Sequence, residues 1–293
     1  MTIVERAIEK LRRQSAQTPA PANITVGAVV HEPVADLPHA NPARRIRIDR
    51  DALRQAGYLP DTAVDRRFAN HYRQIKRPLI AKAQSAPDSA GVSPRVIVMT
   101  SALPGDGKTF TSINLALSLA HERDVSVVLV DADIPKPHVS RIFGVEAEAG
   151  ITDALANADL DVESLLLPTD IGGLSILPAG KSMDNATELL ASARMGALLT
   201  RLLSRHPRRI VLLDSPPLMV SSEARALLPI AGQLVIVVRA GKTPHKAVLD
   251  ALAEVGADKP VSMVLNQGRV GFGGGYDAYG DYGVTGNDDV DKP

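Results

Sequence analysis

Eight residues, Ala102-Leu-Pro-Gly-Asp-Gly-Lys-Thr109, carry the most specific chemistry in the chain. Gly105 and Gly107 let successive backbone N–H groups turn toward one point, and a helix opening near Lys108 adds partial positive charge there. Lys108 supplies a full charge suited to the β- and γ-phosphates of a nucleotide. The Thr109 hydroxyl is the group that such loops place on Mg²⁺. Pro104, Asp106 and Phe110 complete the set expected to line the nucleotide. The first glycine usual in these loops is Ala102 here. A glycine turn without a ligand is the competing reading, and the Lys-Thr pair following a strand opposes it.

Three aspartates extend the constellation. VVLVDAD places Asp131 and Asp133 after one apolar run, and IVLLDSPP places Asp214 after another. In an open parallel sheet, ligands bind outside the carboxyl ends of the strands. Carboxylates there, beside a phosphate-binding loop, are expected to ligate Mg²⁺ or orient its waters. Alone, each aspartate is more often a helix N-cap. Three after apolar strands in one such domain favour metal and catalysis.

These side chains need a scaffold, and the hydrophobic pattern supplies one. Six β-branched runs lie at 96–99, 127–130, 174–177, 210–213, 234–238 and 261–265. Helical patterns separate most of them, including 108–121 and 185–204, the latter opened by Asn185 with Glu188 three residues on. Continuous apolar strands alternating with helices predict an α/β fold, a mostly parallel sheet covered by helices on both faces.

The flanks read differently. Residues 1–14 predict an amphipathic helix, with Thr2 and Glu5 at capping-box spacing. Residues 15–61 read as a linker, Ala/Pro-rich and then basic, and 62–84 as a basic helix with Pro78 near its end, expected to make an oligomer or partner contact through Arg73 and Lys76. Residues 269–293 are Gly- and Asp-rich with Tyr276, Tyr279 and Tyr282 three apart, a composition that cannot build a core.

Composition excludes several classes. The 293 residues include no cysteine, so disulfide frameworks, thiolate zinc sites and cysteine nucleophiles are absent. The seven histidines are scattered, without His-Glu-x-x-His. No run approaches the ~20 apolar residues of a membrane span, and the charged opening MTIVERAIEK does not read as a signal peptide. Net charge is zero by cancellation: residues 1–84 carry +7, residues 85–269 carry −3 and residues 270–293 carry −4. That asymmetry points to contact with an anionic surface or between subunits.

The loop LPGDGKT, the segment VLVDADIPKPHVSRIFG, the segment IVLLDSPPL and the tyrosine cluster together resemble the bacterial tyrosine kinases (BY-kinases) of exopolysaccharide synthesis. MTIVERAIEKLRR, TDIGGLSILPAG, NATELLASARM and GQLVIVVRAGKTP resemble the exosortase-associated tyrosine autokinases in particular. The resemblance implies a P-loop kinase domain over 95–268, with ATP and Mg²⁺ as cofactors. It implies Lys108, Asp131, Asp133 and Asp214 in catalysis, and Thr109, Asp131 and Asp214 at the metal. The proton acceptor reads as Asp133, with the assignment within the Asp131–Asp133 pair open. Asn266 stands where related ATPases read the adenine base, and Tyr276, Tyr279 and Tyr282 are the implied phosphoacceptors.

The implied partners are further copies of the chain, a membrane-anchored polysaccharide chain-length determinant protein as activator, and a tyrosine phosphatase. Nucleic acid is not among them. The implied location is cytoplasmic, at the inner face of the cell membrane. Two positions depart from the family pattern. The usual arginine after the second aspartate is Pro135, and the oligomerisation pattern Glu-x-x-Arg-x-x-Arg reads Asn70-His-Tyr-Arg73-Gln-Ile-Lys76. Two other readings stand beside the kinase: an ATP-dependent dimerisation switch of the partition or division-site type, and a regulatory subunit that merely retains nucleotide. The switch ATPases carry a lysine early in the loop, where this chain has Leu103.

Overall fold

The structure is a computed structural model that describes residues 45–59, 65–89, 91–256 and 259–268, without the side chains of 65–67. The expected helix at 1–14, most of the linker and the tail at 269–293 lie outside the described residues.

Seven strands form one sheet: β1 Val96–Ser101, β2 Ser126–Asp131, β3 Leu167–Pro168, β4 Leu174–Leu177, β5 Arg209–Asp214, β6 Gln233–Arg239 and β7 Val261–Asn266. Their order is β3-β4-β2-β5-β1-β6-β7. Every neighbouring pair is parallel except β3 with β4. All six runs expected from the sequence are strands. The two-residue β3 is too short to leave a pattern.

Alternation along each strand sends side chains to two cores. Val98, Val130, Leu213 and Ile236 face one core, and Ile97, Met99, Leu129 and Leu212 face the other. The first core is covered by α5 Ile151–Ala156, α6 Ala186–Ala191, α7 Ala193–Ser204, α8 Ser222–Ala226 and α9 His245–Val255. The second is covered by α1 Arg50–Gln55, α2 Asp65–Ala83, α3 Lys108–Ala120 and α4 His138–Ile142. Helices on both faces leave the carboxyl ends of β1, β2 and β5 to build a site.

Four sequence expectations change. The helix expected over 185–204 is two helices, because Ser192 is extended (φ −75°, ψ 157°). Asn185 makes no side-chain cap there, so the capping-box spacing is not used. The basic helix, by contrast, lies where expected, at Asp65–Ala83, and continues through Pro78. The ring removes only one intrahelical hydrogen bond, and Leu79 beyond it is buried against the sheet.

The last part of the expected linker is docked. Asp49 accepts from the N–H groups of Asp51 and Ala52 and caps α1. The Ile46 N–H donates to Pro168 O at 2.8 Å, and Ile48 and Leu53 are buried.

Lys76 is the fourth correction. It was expected at a subunit contact, but it is buried, donates to Ser118 O at 2.7 Å and pairs with Glu122 at 2.8 Å. It fastens α2 to the C-terminal half of α3. Lys76 and Glu122 lie 46 residues apart in sequence, with no spacing rule to join them. Lys76→Ala should therefore lower stability by about 1–3 kcal/mol, since it leaves a half-buried carbonyl without its partner and removes a charged hydrogen bond. Denaturant unfolding beside light scattering checks this: the midpoint falls and the oligomer mass stays. A lower mass at unchanged stability would restore the contact role.

Candidate nucleotide and catalytic site

β1 ends at Ser101, and α3 begins at Lys108 with Gly107 at its N-cap. Gly105 and Gly107 both take positive φ, 83° and 91°, a backbone region that side chains disfavour. Gly107 is required twice over, because a Cβ there would stand 2.0 Å from Asn266 Nδ2. No side chain caps α3, so the N–H groups of its first turn are left for an anion. Pro104 and Gly105 are exposed at the tip of the loop.

Two anchors hold the loop in shape. Asp106 is buried. Its Oδ2 accepts from the Leu103 N–H at 3.1 Å, and its Oδ1 from the Thr243 hydroxyl at 2.6 Å. Its carboxylate is thus spent on the loop and on the β6–α9 connection, and only its backbone is left to face ATP. Asn266 donates from Nδ2 to Asp106 O at 2.9 Å, while its Oδ1 accepts from the Gln267 N–H. One amide hydrogen of Asn266 remains for a base.

Register brings the acids together. Asp131 and Asp214 are direct neighbours across β2 and β5. Lys108 Nζ donates to Asp133 Oδ2 at 2.8 Å, and the Thr109 hydroxyl donates to Asp214 Oδ2 at 2.8 Å. Ser112, one turn along α3, donates to Asp214 Oδ1 at 2.8 Å. Asp131 Oδ2 accepts from both the N–H and the hydroxyl of Ser140, at 2.7 and 2.8 Å. Asp131 Oδ1 is buried and has no partner. An orphaned carboxylate oxygen beside a phosphate-binding loop fits a cation or its water.

Burial and charge set the protonation. Burial pushes the Asp131 carboxyl up to about 7 against the hydrogen bonds from Ser140, with the charges of Asp214 and Asp133 adding to the rise. Burial likewise raises Asp214, although Lys108, Thr109 and Ser112 all favour its ionised form. For Lys108, burial opposes the charge, but Asp214 and Asp133 outweigh it and hold the ammonium above its ordinary range. Three carboxylates around one ammonium make a site deficient in positive charge. A divalent cation compensates for that deficit. Among the described residues no cluster of three or more His, Cys, Asp or Glu side chains is arranged to hold a metal by itself. The Thr109 hydroxyl and phosphate oxygens suit Mg²⁺, which keeps few protein carboxylates.

Phe110 has another neighbour than expected. Its ring meets Phe68 of α2 edge-on, centroids 5.8 Å apart and planes at 77°. With Asn266, Gln267 and Gly268 it lines a groove of 820 Å³ between α2 and β7. Arg73 is exposed and donates to Asn70 Oδ1 at 2.6 Å.

Sequence reasoning missed Ser112, Ser140 and Thr243. Ser112 lies four residues after Lys108, where helical periodicity could have found it. Ser140 and Thr243 act through tertiary contacts that no local spacing marks.

A family model described as an AAA domain matches residues 94–255, more than half of the chain. The tyrosine-protein kinase YwqD of Bacillus subtilis is 30% identical over 193 residues, covering 65% of this chain and 78% of that protein. The chain belongs to the bacterial tyrosine-protein kinase family. This kinase-family chain is also 32% identical to the tyrosine-protein kinase wzc of Salmonella typhimurium over 160 residues. That match covers 54% of the chain and spans 21% of the wzc protein. The kinase domain of the Escherichia coli tyrosine kinase ETK superposes with a TM-score of 0.59 at 25% identity, covering 74% of the chain and 85% of that domain. The family model takes in the phosphate-binding loop and all three aspartates, and it stops short of Asn266 and the tyrosines.

Proposed function

We propose that the chain is an ATP-dependent protein-tyrosine autokinase whose acceptors are Tyr276, Tyr279 and Tyr282, modified between subunits. The observation that carries this reading is the single network joining Lys108 to Asp133 and Thr109 to Asp214, with an unpartnered oxygen of Asp131 beside them. The first-turn N–H groups of α3 and Lys108 would hold the triphosphate. Lys108 keeps two further N–H donors after its bond to Asp133. Thr109, Asp131 and Asp214 would hold Mg²⁺, which supplies charge neutralisation on the transferring phosphoryl group.

A tyrosine hydroxyl is protonated at neutral pH. Asp133 accepts its proton as the phenol oxygen bonds to phosphorus and the β–γ bridge breaks, releasing ADP. Positioning and electrostatics supply most of the rate. The same reading takes the chain as a regulator of polysaccharide chain length or export. A membrane-anchored chain-length determinant protein is then its activator and a tyrosine phosphatase its opponent. Among the described residues no helix is long and apolar enough to cross a membrane. The same reading takes the chain to the inner face of the membrane through such a partner.

Reach alone allows a tail to enter its own site, and charge and chain geometry favour transfer between subunits. The −4 tail suits a neighbour's basic front, and a tail entering its own site must reverse tightly after Gly268. The test mixes a Lys108→Ala chain that keeps its tyrosines with a chain whose loop is intact but whose residues 276, 279 and 282 are Phe. Phosphate should appear on the first chain, with an initial rate that rises as the square of concentration at high dilution. An unlabelled mixture, with wild type labelling itself at a concentration-independent rate, would contradict transfer between subunits.

A further inference from the structure

On the outer side of α2 from the groove at Asn266 lies a second pocket, of 300 Å³, whose residues the phosphoryl-transfer chemistry does not use. Its floor is apolar and aromatic, built from Phe68, Tyr72 and Leu117. Phe68 and Tyr72 stack with ring centroids 4.8 Å apart. Arg50, Arg73 and His121, all exposed, stand at its rim. No Asp or Glu is among the described residues that line it. Arg73 spends one of its five donors on Asn70 Oδ1, and His121 commits Nδ1 to Leu117 O. The remaining donors on two guanidinium groups can receive an anion in forked geometry. A pocket of this size lies at the small end of ligand sites, large enough for one aromatic ring and its substituent. An apolar floor under a double-arginine rim has the chemistry of a site for an aryl phosphate.

We infer that this pocket receives a phosphotyrosine of the chain's own 276–282 cluster, a reading that rests on the autokinase function proposed above. The place where the described chain ends supports that occupant. Gln267 and Gly268 line the groove on the inner side of α2 together with Phe68 and Tyr72, and the same two rings floor the outer pocket. The described chain therefore ends across α2 from the pocket. Tyr276 is eight residues beyond Gly268, a reach of ~26 Å when extended and ~16 Å as a flexible coil. Asp277 and Asp281 flank the tyrosines and add negative charge that suits the rim. Phosphorylation adds up to two negative charges and three acceptor oxygens to each tyrosine. The modified tail thus gains affinity for its own α1–α2 face at the moment it ceases to be an acceptor. The product of the reaction is held away from the loop at Lys108, which leaves that loop open to an unmodified tail.

The experiment uses a fluorescent synthetic peptide of residues 272–284, with or without phosphate on Tyr279, and the full-length Lys108→Ala chain, which adds no phosphate of its own. The phosphopeptide should bind at least roughly tenfold more tightly than the unmodified peptide, as one charge-assisted hydrogen-bonding pair provides. Arg50→Ala should remove most of that preference, and adding Arg73→Ala should erase it. Both side chains are exposed and outside the cores, so these variants keep the fold. A chain ligated to a phosphorylated synthetic tail should take up the peptide at least tenfold less readily, its pocket being filled from within. Equal affinity for the two peptides would overturn the inference, as would a preference that survives both arginine changes. Displacement of the phosphopeptide by phosphatidylserine vesicles would reassign the face to a lipid surface. Undiminished uptake by the tail-phosphorylated chain would exclude the chain's own tail as occupant. Because the phosphate is placed chemically, loss of kinase activity would refute the autokinase reading without touching this binding result.

Discussion

Lys108→Ala should reduce phosphotyrosine on the chain by a factor of a thousand or more. The lysine is nearly buried, and its ammonium stands within 2.8 Å of Asp133 at the start of α3. Removing one preorganised donor from a site that stabilises developing charge costs on the order of 10²–10³ in rate. Here the donor is a full charge in a pocket with three carboxylates, so the loss is larger. The same change leaves Asp133 without a counter-charge. Breaking a buried pair is destabilising by about 3–5 kcal/mol when the remaining charge cannot escape. The change leaves both apolar cores untouched, so the variant should remain folded with a lower thermal midpoint. Tail phosphorylation read by mass spectrometry, beside circular dichroism, separates the two effects. Unchanged phosphorylation would remove the loop from the reaction.

Asp214→Asn should weaken Mg²⁺ use and slow turnover steeply with little change of shape. Both oxygens of Asp214 accept hydroxyl hydrogen bonds, from Thr109 and from Ser112, and the residue is fully buried. An amide can accept only one of these, so one hydroxyl must turn away and the negative charge is lost. The simpler alternative for an aspartate after a strand was a helix N-cap, where Asn serves about as well as Asp. The geometry rejects it, because the next helix, α8, is capped by Ser221. The Mg²⁺ dependence of the rate should shift to higher concentration by tenfold or more. An identical curve would mean that Asp214 acts on packing alone.

The parts of this molecule that obey local rules were legible in the sequence. Continuous apolar runs marked the central strands, since a strand buried on both faces must be apolar throughout, and the half-exposed edge strand β7 carries the same kind of run. The loop around Lys108 declared itself because positive-φ glycines and an uncapped helix start need particular residues at fixed spacing. Tertiary pairing was not legible. Lys76 looked like surface charge until Glu122 and Ser118 O met it across two helices. Asp106 looked like a ligand until Thr243, 137 residues away, took its carboxylate. Ser192 ended one helix and began another with no proline or glycine to announce the break. Ser140 gave no sign that it holds Asp131, because the turn of chain between them is set by the sheet.

The central claim is that this constellation moves phosphate from ATP to tyrosines of the same protein. The direct measurement incubates the purified full chain with Mg-ATP and maps modified residues by mass spectrometry. Phosphate on Tyr276, Tyr279 or Tyr282, absent when Mg²⁺ is chelated, is the predicted result. ADP released in quantity with no phosphate on those tyrosines would contradict it and mark the chain as an ATP-driven switch.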